Sequence, residues 1–145
     1  MTSKYWLFQA NPTRYRIHEA LEQKAEDYWN LNQHASQISV GDRVLIWICG
    51  DEAGIYAVGT VVTAPVVMPD APGGTPYWRP PSSGSQPRPR VLVRFDQKLL
   101  DQPLRKAFLL TDPVLSGLRV LHQPRATNFP VTVEQWTALQ PWLQH

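Results

Sequence analysis

The side chains of this 145-residue chain that could do chemistry fall into two sets. The first is the acid–base and nucleophilic set: His18, His34, His122, His145, Cys49 and the adjacent Asp51 and Glu52. Its histidines are scattered. No two stand at a spacing such as His-x-x-x-His, which would hold a metal from one helix face. There is no Gly-x-Ser-x-Gly elbow and no glycine-rich phosphate loop; Gly50-Asp51-Glu52-Ala53-Gly54 has the wrong spacing and joins two strand-like runs. Cys49 closes an apolar run without a neighbouring cation to favour its thiolate. Asp51 and Glu52 share one turn and could not flank a substrate as an acid–base pair unaided. The expectation from this set is no enzyme, no metal and no cofactor.

The second set is aromatic and cationic. Residues 79–125 carry nine Lys/Arg against three acids, a net of +6, whereas residues 1–78 have a net of −3. Arginine outnumbers lysine ten to four, and its planar fork suits phosphate pairing and stacking better than a lysine point charge. Such a stretch predicts an anion-facing surface, with nucleic acid the leading partner; a solvated face between apolar strand residues is the other reading. The six tryptophans divide by context. Trp6 and Trp47 lie in strand-like runs and Trp136 in a helix-like one, where a core role is the plain reading, while Trp142 is peripheral. Trp29 and Trp78 lie outside clear periodicity, beside Asn30 and Arg79. Stacking on aromatic faces is worth roughly 1–3 kcal/mol per base. Extracting a base from a duplex costs a few kcal/mol, which two faces plus edge hydrogen bonds offset.

These residues need elements to hold them. Tyr5-Trp6-Leu7-Phe8-Gln9 predicts a buried strand, broken by Asn11-Pro12. Ile17, Ala20 and Leu21 stand at i, i+3, i+4 and predict a short helix over residues 14–23. Residues 27–31 are too short and mixed to assign. Residues 43–49 predict a strand returning over 55–62 through a five-residue turn, a β-hairpin. Residues 90–95 and 118–121 also read as strands, and residues 99–110 stay ambiguous. Thr132 and Gln135 have the spacing of a capping box for a helix running to about Leu139, with Pro141 just beyond it. Eight of the 14 prolines fall in residues 65–90, which predicts a long irregular loop carrying Trp78. Length and a 43% hydrophobic content fit one domain with a real core. The fold class expected is α+β: a curved, mostly antiparallel sheet of five to six strands with flanking helices. A lone cysteine, no signal-peptide pattern and no long apolar run predict a cytoplasmic setting with no membrane segment.

Three stretches together resemble EVE domains. They are Tyr5-Trp6-Leu7-Phe8-Gln9-Ala10-Asn11-Pro12, the hairpin opened by Gly41-Asp42 and Trp47 and running to Gly59, and Arg125-Ala126-Thr127-Asn128-Phe129-Pro130-Val131-Thr132. The match runs in order from Tyr5 to Leu139, essentially the whole chain, and residues 1–145 are expected to form one domain. EVE domains belong to the PUA-like superfamily and are similar to YTH domains, which read methylated adenine. The resemblance implies a PUA-like barrel and a non-catalytic pocket for a modified base, 5-methylcytosine or another modified cytosine in DNA foremost. A modified-RNA reader is the alternative, as is an adaptor docking on a separate nuclease or ATPase effector. An enzyme acting on RNA or a nucleoside is the third reading. By resemblance, Trp29 and Trp78 would be cage walls, Asn30 would contact the base edge, and Asn11 would be a polar pocket residue. Trp47 would lie under the pocket or line it. Asn128, with Arg125 and Thr127, would stand at the pocket mouth, or Asn128 would simply shape the entry to the last helix. Arg79, Arg88, Arg90 and Arg125 are the expected phosphate contacts.

Overall fold

The computed structural model describes residues 4–71 and 74–143; His145, and Pro72 and Gly73 of the proline-rich stretch, lie outside them. The chain runs β1 (Tyr5–Ala10), α1 (Ile17–Gln23), β2 (Glu26–Asn30), β3 (Arg43–Ile48), β4 (Gly54–Val61), β5 (Val66–Met68), β6 (Arg88–Lys98), β7 (Leu104–Arg105), α2 (Lys106–Leu109), β8 (Asn128–Val131) and α3 (Val133–Leu143). All the strands form one curled sheet with the order β2-β6-β4-β3-β1-β8; β5 adds to β6 and β7 to β4. Among the described residues, only β1 and β3 pair in parallel. Their register carries the same alternation on both strands. Trp6, Phe8, Ala10, Val44, Ile46 and Ile48 face one core, and Leu7, Leu45 and Trp47 face a second. Burial on both faces explains why residues 43–48 are apolar without a period of two. A bulge opposite Ile46 and Trp47 adds one residue to β4 and bends the hairpin.

Among the described residues the sheet has eight strands where five to six were expected. β5 and β7 are too short to show a pattern. β2 is an edge strand paired with β6, with Trp29 opposite Val91, so Trp29 is a strand residue and not part of an irregular segment. β8 pairs antiparallel with β1 and keeps Pro130, which an edge strand tolerates because one side of it needs no N–H. Residues 118–121 are not a strand; Arg119–Leu121 is a 3-10 turn. The proline-rich stretch is only partly irregular, since β5 and two 3-10 turns lie within it.

Both helix expectations hold in part. α1 begins at Ile17, not residue 14, because the segment before it pairs with the loop. Tyr15 bridges Trp78, Arg16 N–H donates to the Tyr77 carbonyl at 2.7 Å, and Arg79 N–H donates to the Arg14 carbonyl at 2.8 Å. The capping box is formed: Gln135 N–H donates to Thr132 Oγ1, and Thr132 N–H to Gln135 Oε1, both at 3.0 Å. α3 then continues through Pro141 to Leu143. Leu143 is buried in the second core, and that burial holds the last turn against the missing proline N–H.

Among the described residues, no helix is long and apolar enough to cross a membrane.

Candidate nucleic-acid interface

The sheet curls until its edge strands β2 and β8 approach, and side chains stitch the corner where they meet. Asn128 Oδ1 accepts from the Asn32 and Gln33 N–H groups at 2.8 and 3.2 Å, and Asn128 Nδ2 donates to the Asn30 carbonyl at 3.1 Å. Gln33 Oε1 returns the bond, accepting from Thr127 and Asn128 N–H at 2.9 and 3.0 Å. Beside this seam opens a cleft of about 920 Å³. The end of β1 contributes Gln9, Ala10 and Asn11, β2 contributes Tyr28, Trp29 and Asn30, and Cys49 follows β3. The proline-rich loop supplies Trp78, Arg79 and Gln86, β6 supplies Arg88, and residues 124–127 close the other side.

Trp29 and Trp78 therefore reach one cavity from strands and loops far apart in sequence. Trp29 is 6% exposed, and its indole N–H donates to the Gln9 carbonyl at 3.3 Å. Trp78 is half-buried. Its ring meets Tyr15 edge-on at 4.9 Å between centroids, and its N–H donates to Asp70 at 2.6 Å. Gly84 lies flat against that ring: a Cβ there would be 2.6 Å from Trp78 Cδ1 and Nε1. Asn11 lines the cleft with its Oδ1 engaged by the Thr13 N–H and hydroxyl at 3.0 and 2.8 Å. Arg79, Arg88 and Arg125 are exposed on the lining, and Arg14 joins them.

Three expected residues stand elsewhere. Trp47 lies across the sheet in the second core, 3% exposed. Asn128 is 1% exposed and serves the seam. Arg90 is also 1% exposed, so its guanidinium is not offered to a phosphate on the surface. It donates from Nε to the Met68 carbonyl at 3.1 Å, from Nη2 to the Gln86 carbonyl at 3.4 Å, and from Nη1 to Asn30 Oδ1. Its Cζ stands 5.9 Å from the centre of the Trp78 ring.

Under the cleft lies a buried polar network. The Tyr15 hydroxyl and Lys24 Nζ both donate to Asp27, at 2.5 and 2.7 Å. Burial pushes the Asp27 carboxyl up despite both partners. Burial and the Asp27 charge push the Tyr15 phenol up, so it stays a donor. Burial lowers the Arg90 guanidinium, which remains a cation because its ordinary value is so high. Sequence reasoning missed Tyr15, Tyr28, Asp27 and Asp70 here. The first two looked like ordinary aromatic neighbours, and no short motif links residues 15, 27 and 70.

No carboxylate or histidine lines the cleft among the described residues. Cys49 does, with its thiol pushed up by burial, which opposes thiolate chemistry. No three His, Cys, Asp or Glu side chains among the described residues gather to hold a metal ion. What the arrangement can do is grip a flat group between aromatic and amide surfaces and hold an anion at the rim.

Solved structures share this architecture. A hypothetical protein from Leishmania major is 20% identical with a TM-score of 0.72, over 97% of this chain and 94% of that one. A Pseudomonas putida protein is 22% identical with a TM-score of 0.69, over 97% and 99%. The human THYN1 protein, solved in complex with 5-methylcytosine-containing DNA, is 18% identical with a TM-score of 0.68, over 99% of both chains. No curated protein matches. The curled sheet with three helices is the PUA-like arrangement. The sequence profile of the EVE domain matches residues 4–140, and on that match the chain belongs to the EVE domain family.

Proposed function

We propose that this protein binds nucleic acid carrying a modified base, modified cytosine in DNA foremost, and that it does so without catalysing a reaction. One observation carries the reading. Trp29, Asn30 and Trp78 converge on one cleft rimmed by Arg14, Arg79, Arg88 and Arg125, with no acid or histidine in its lining among the described residues. A flipped or single-stranded base enters between the aromatic surfaces, and the rim arginines take the flanking phosphates. The 5-methylcytosine-containing DNA held by human THYN1 supports this choice of ligand. A separate effector, a nuclease or an ATPase, would then act on what the cleft has bound, since the lining supplies no acid–base pair of its own.

The test is binding of matched oligonucleotides, single-stranded and duplex, carrying cytosine, 5-methylcytosine or 5-hydroxymethylcytosine, with modified RNA alongside. The expected result is tighter binding of a modified-cytosine DNA than of its unmodified twin. Equal binding to every oligonucleotide overturns the reading, and preference for RNA moves it to the RNA alternative. Arg125→Ala and Arg79→Ala should weaken modified and unmodified DNA alike. Each should reduce the slope of log K against log salt by roughly 0.7–0.9.

A further inference from the structure

We infer that Arg90 is a positioning residue that locks the Asn30 amide in one orientation, so that the cleft offers its ligand a hydrogen-bond donor. The inference rests on the reading of the cleft as a base site, and it narrows the ligand to a base presenting an acceptor to Asn30, a ring nitrogen or a carbonyl oxygen.

The chemistry of the two side chains forces the orientation. A guanidinium has five N–H donors and no acceptor. Arg90 is buried and points Nη1 at the Asn30 side chain, so Asn30 must turn its oxygen inward. The flipped amide would set donor against donor. Arg90 cannot swing away, because the same guanidinium also holds the carbonyls of Met68 and Gln86 at 3.1 and 3.4 Å. Nor can β2 readily shift the Asn30 backbone, since its carbonyl accepts from Asn128 at 3.1 Å. Asn30 Nδ2 has no partner among the described residues, and Asn30 lines the cleft. The amide is thus held with its acceptor consumed and its donor spare. The guanidinium also stands at 5.9 Å from the Trp78 ring, so one buried cation braces a reading group and an aromatic wall together.

This role differs from a phosphate contact in what it moves. Arg90→Lys keeps the positive charge but loses the fork that reaches three carbonyl oxygens. The expected result is a folded protein with at least tenfold weaker binding of a single-stranded 5-methylcytosine oligonucleotide. Its salt slope should stay unchanged, because no phosphate contact is lost. A drop in affinity with the slope reduced by about one would make Arg90 a phosphate contact and overturn the proposal, as would wild-type affinity. Asn30→Asp tests the donor directly. One carboxylate oxygen keeps the Arg90 bond and the other presents an acceptor, so binding of the 5-methylcytosine oligonucleotide should fall at least tenfold while the melting temperature holds. Wild-type binding by Asn30→Asp would overturn the donor assignment.

A ligand-free measurement separates this inference from the function it rests on. In the isotope-labelled protein, the Asn30 side-chain NH2 should exchange with water freely, and its carbonyl carbon shift should move in Arg90→Lys. Slow exchange, or a carbonyl that ignores the substitution, overturns the lock even if no oligonucleotide binds. If the lock is present and no modified base is preferred, the proposed function fails and the Arg90–Asn30 geometry stands.

Discussion

The two faces of the sheet are built by different rules. The second core, with Leu7, Leu45, Trp47, Phe129, Trp136 and Leu139, is closed by α3 and the turns around Leu115 and Val120 and consists of apolar side chains. The first core contains Trp6, Phe8, Trp29 and Tyr15, and at its open end it holds Asp27, Asp70 and Arg90 buried, with Asn128 beside them at the seam. Buried charges and amides are costly unless every partner is in place. Among the described residues, three of the four buried charged side chains gather at that end, where the cleft opens; the fourth, Asp42, sits at the far end of β1 and β3 and accepts from the Trp6 indole N–H at 2.9 Å. The other face is where stability can be altered without touching the cleft.

The comparison is tested hardest by its tryptophans. Trp47→Ala should destabilise the protein by about 3–5 kcal/mol, read from urea unfolding, because it opens a large cavity in an apolar core. The folded protein should keep its modified-base preference. Trp29→Ala should lose stability on a similar scale, since Trp29 is 6% exposed, and should lose the preference as well. Equal loss of preference in both variants, measured where both are folded, would erase the distinction between the faces.

How much of this was legible follows the same division. β1, β3 and β4 showed in sequence because burial on two faces leaves long apolar runs. The capping box of α3 showed because its two residues sit three apart and interact with each other. β2 did not show. Its alternation of Asp27 with Trp29 looks irregular until Asp27 is seen to be buried against Tyr15 and Lys24. Family resemblance brought Trp29, Asn30 and Trp78 forward as a set, and the fold brings them to one cleft. It also put Trp47 and Asn128 in the site on position along the chain, and the basic run put Arg90 there as a phosphate contact. Strand alternation sends Trp47 to the opposite face. Asn128 and Arg90 are spent on backbone and amide partners 4 to 98 residues away. An arginine in a basic run looks the same in sequence whether it faces phosphate or a buried carbonyl.

A smaller effect compares two glycines, one behind each face. Gly84 lies against Trp78 and Gly117 near α3. In Gly84→Ala the new methyl would stand 2.6 Å from the indole and 3.3 Å from Asp70 Cβ. The ring must move, so a loss of about 1–3 kcal/mol is expected, together with a weakened preference for the modified base. In Gly117→Ala the nearest atom is Gln135 Nε2 at 3.5 Å, an ordinary contact. That variant should be neutral or gain up to about 1 kcal/mol through the unfolded chain, with binding unchanged. A Gly84→Ala protein that binds and melts like the wild type would show that Trp78 is not held in place by the loop beneath it.

The smallest effect is in pH, and it separates two aspartates by sign. Asp96 lies on the outer surface of β6, where burial raises its carboxyl but Thr60, Arg94 and Arg43 together hold it below the ordinary carboxylate range. A lowered folded value means that Asp96 stabilises the fold above its unfolded value, roughly 3.9. That contribution is lost as pH falls through the folded value. Asp96→Asn should therefore be less stable than wild type at neutral pH, by under about 1 kcal/mol for so exposed a pair. The gap should close in acid. Asp27, buried under the cleft, has its carboxyl raised, so the folded state takes up a proton before the unfolded state does. Relative to Asp27→Asn, the wild type should gain stability as pH falls from neutral through that raised value, the opposite slope. Urea midpoints of both variants and the wild type from pH 3 to 7 decide it. Parallel slopes would mean that Asp27 is solvated like a surface carboxylate and that the polar network beneath the cleft is not closed to water.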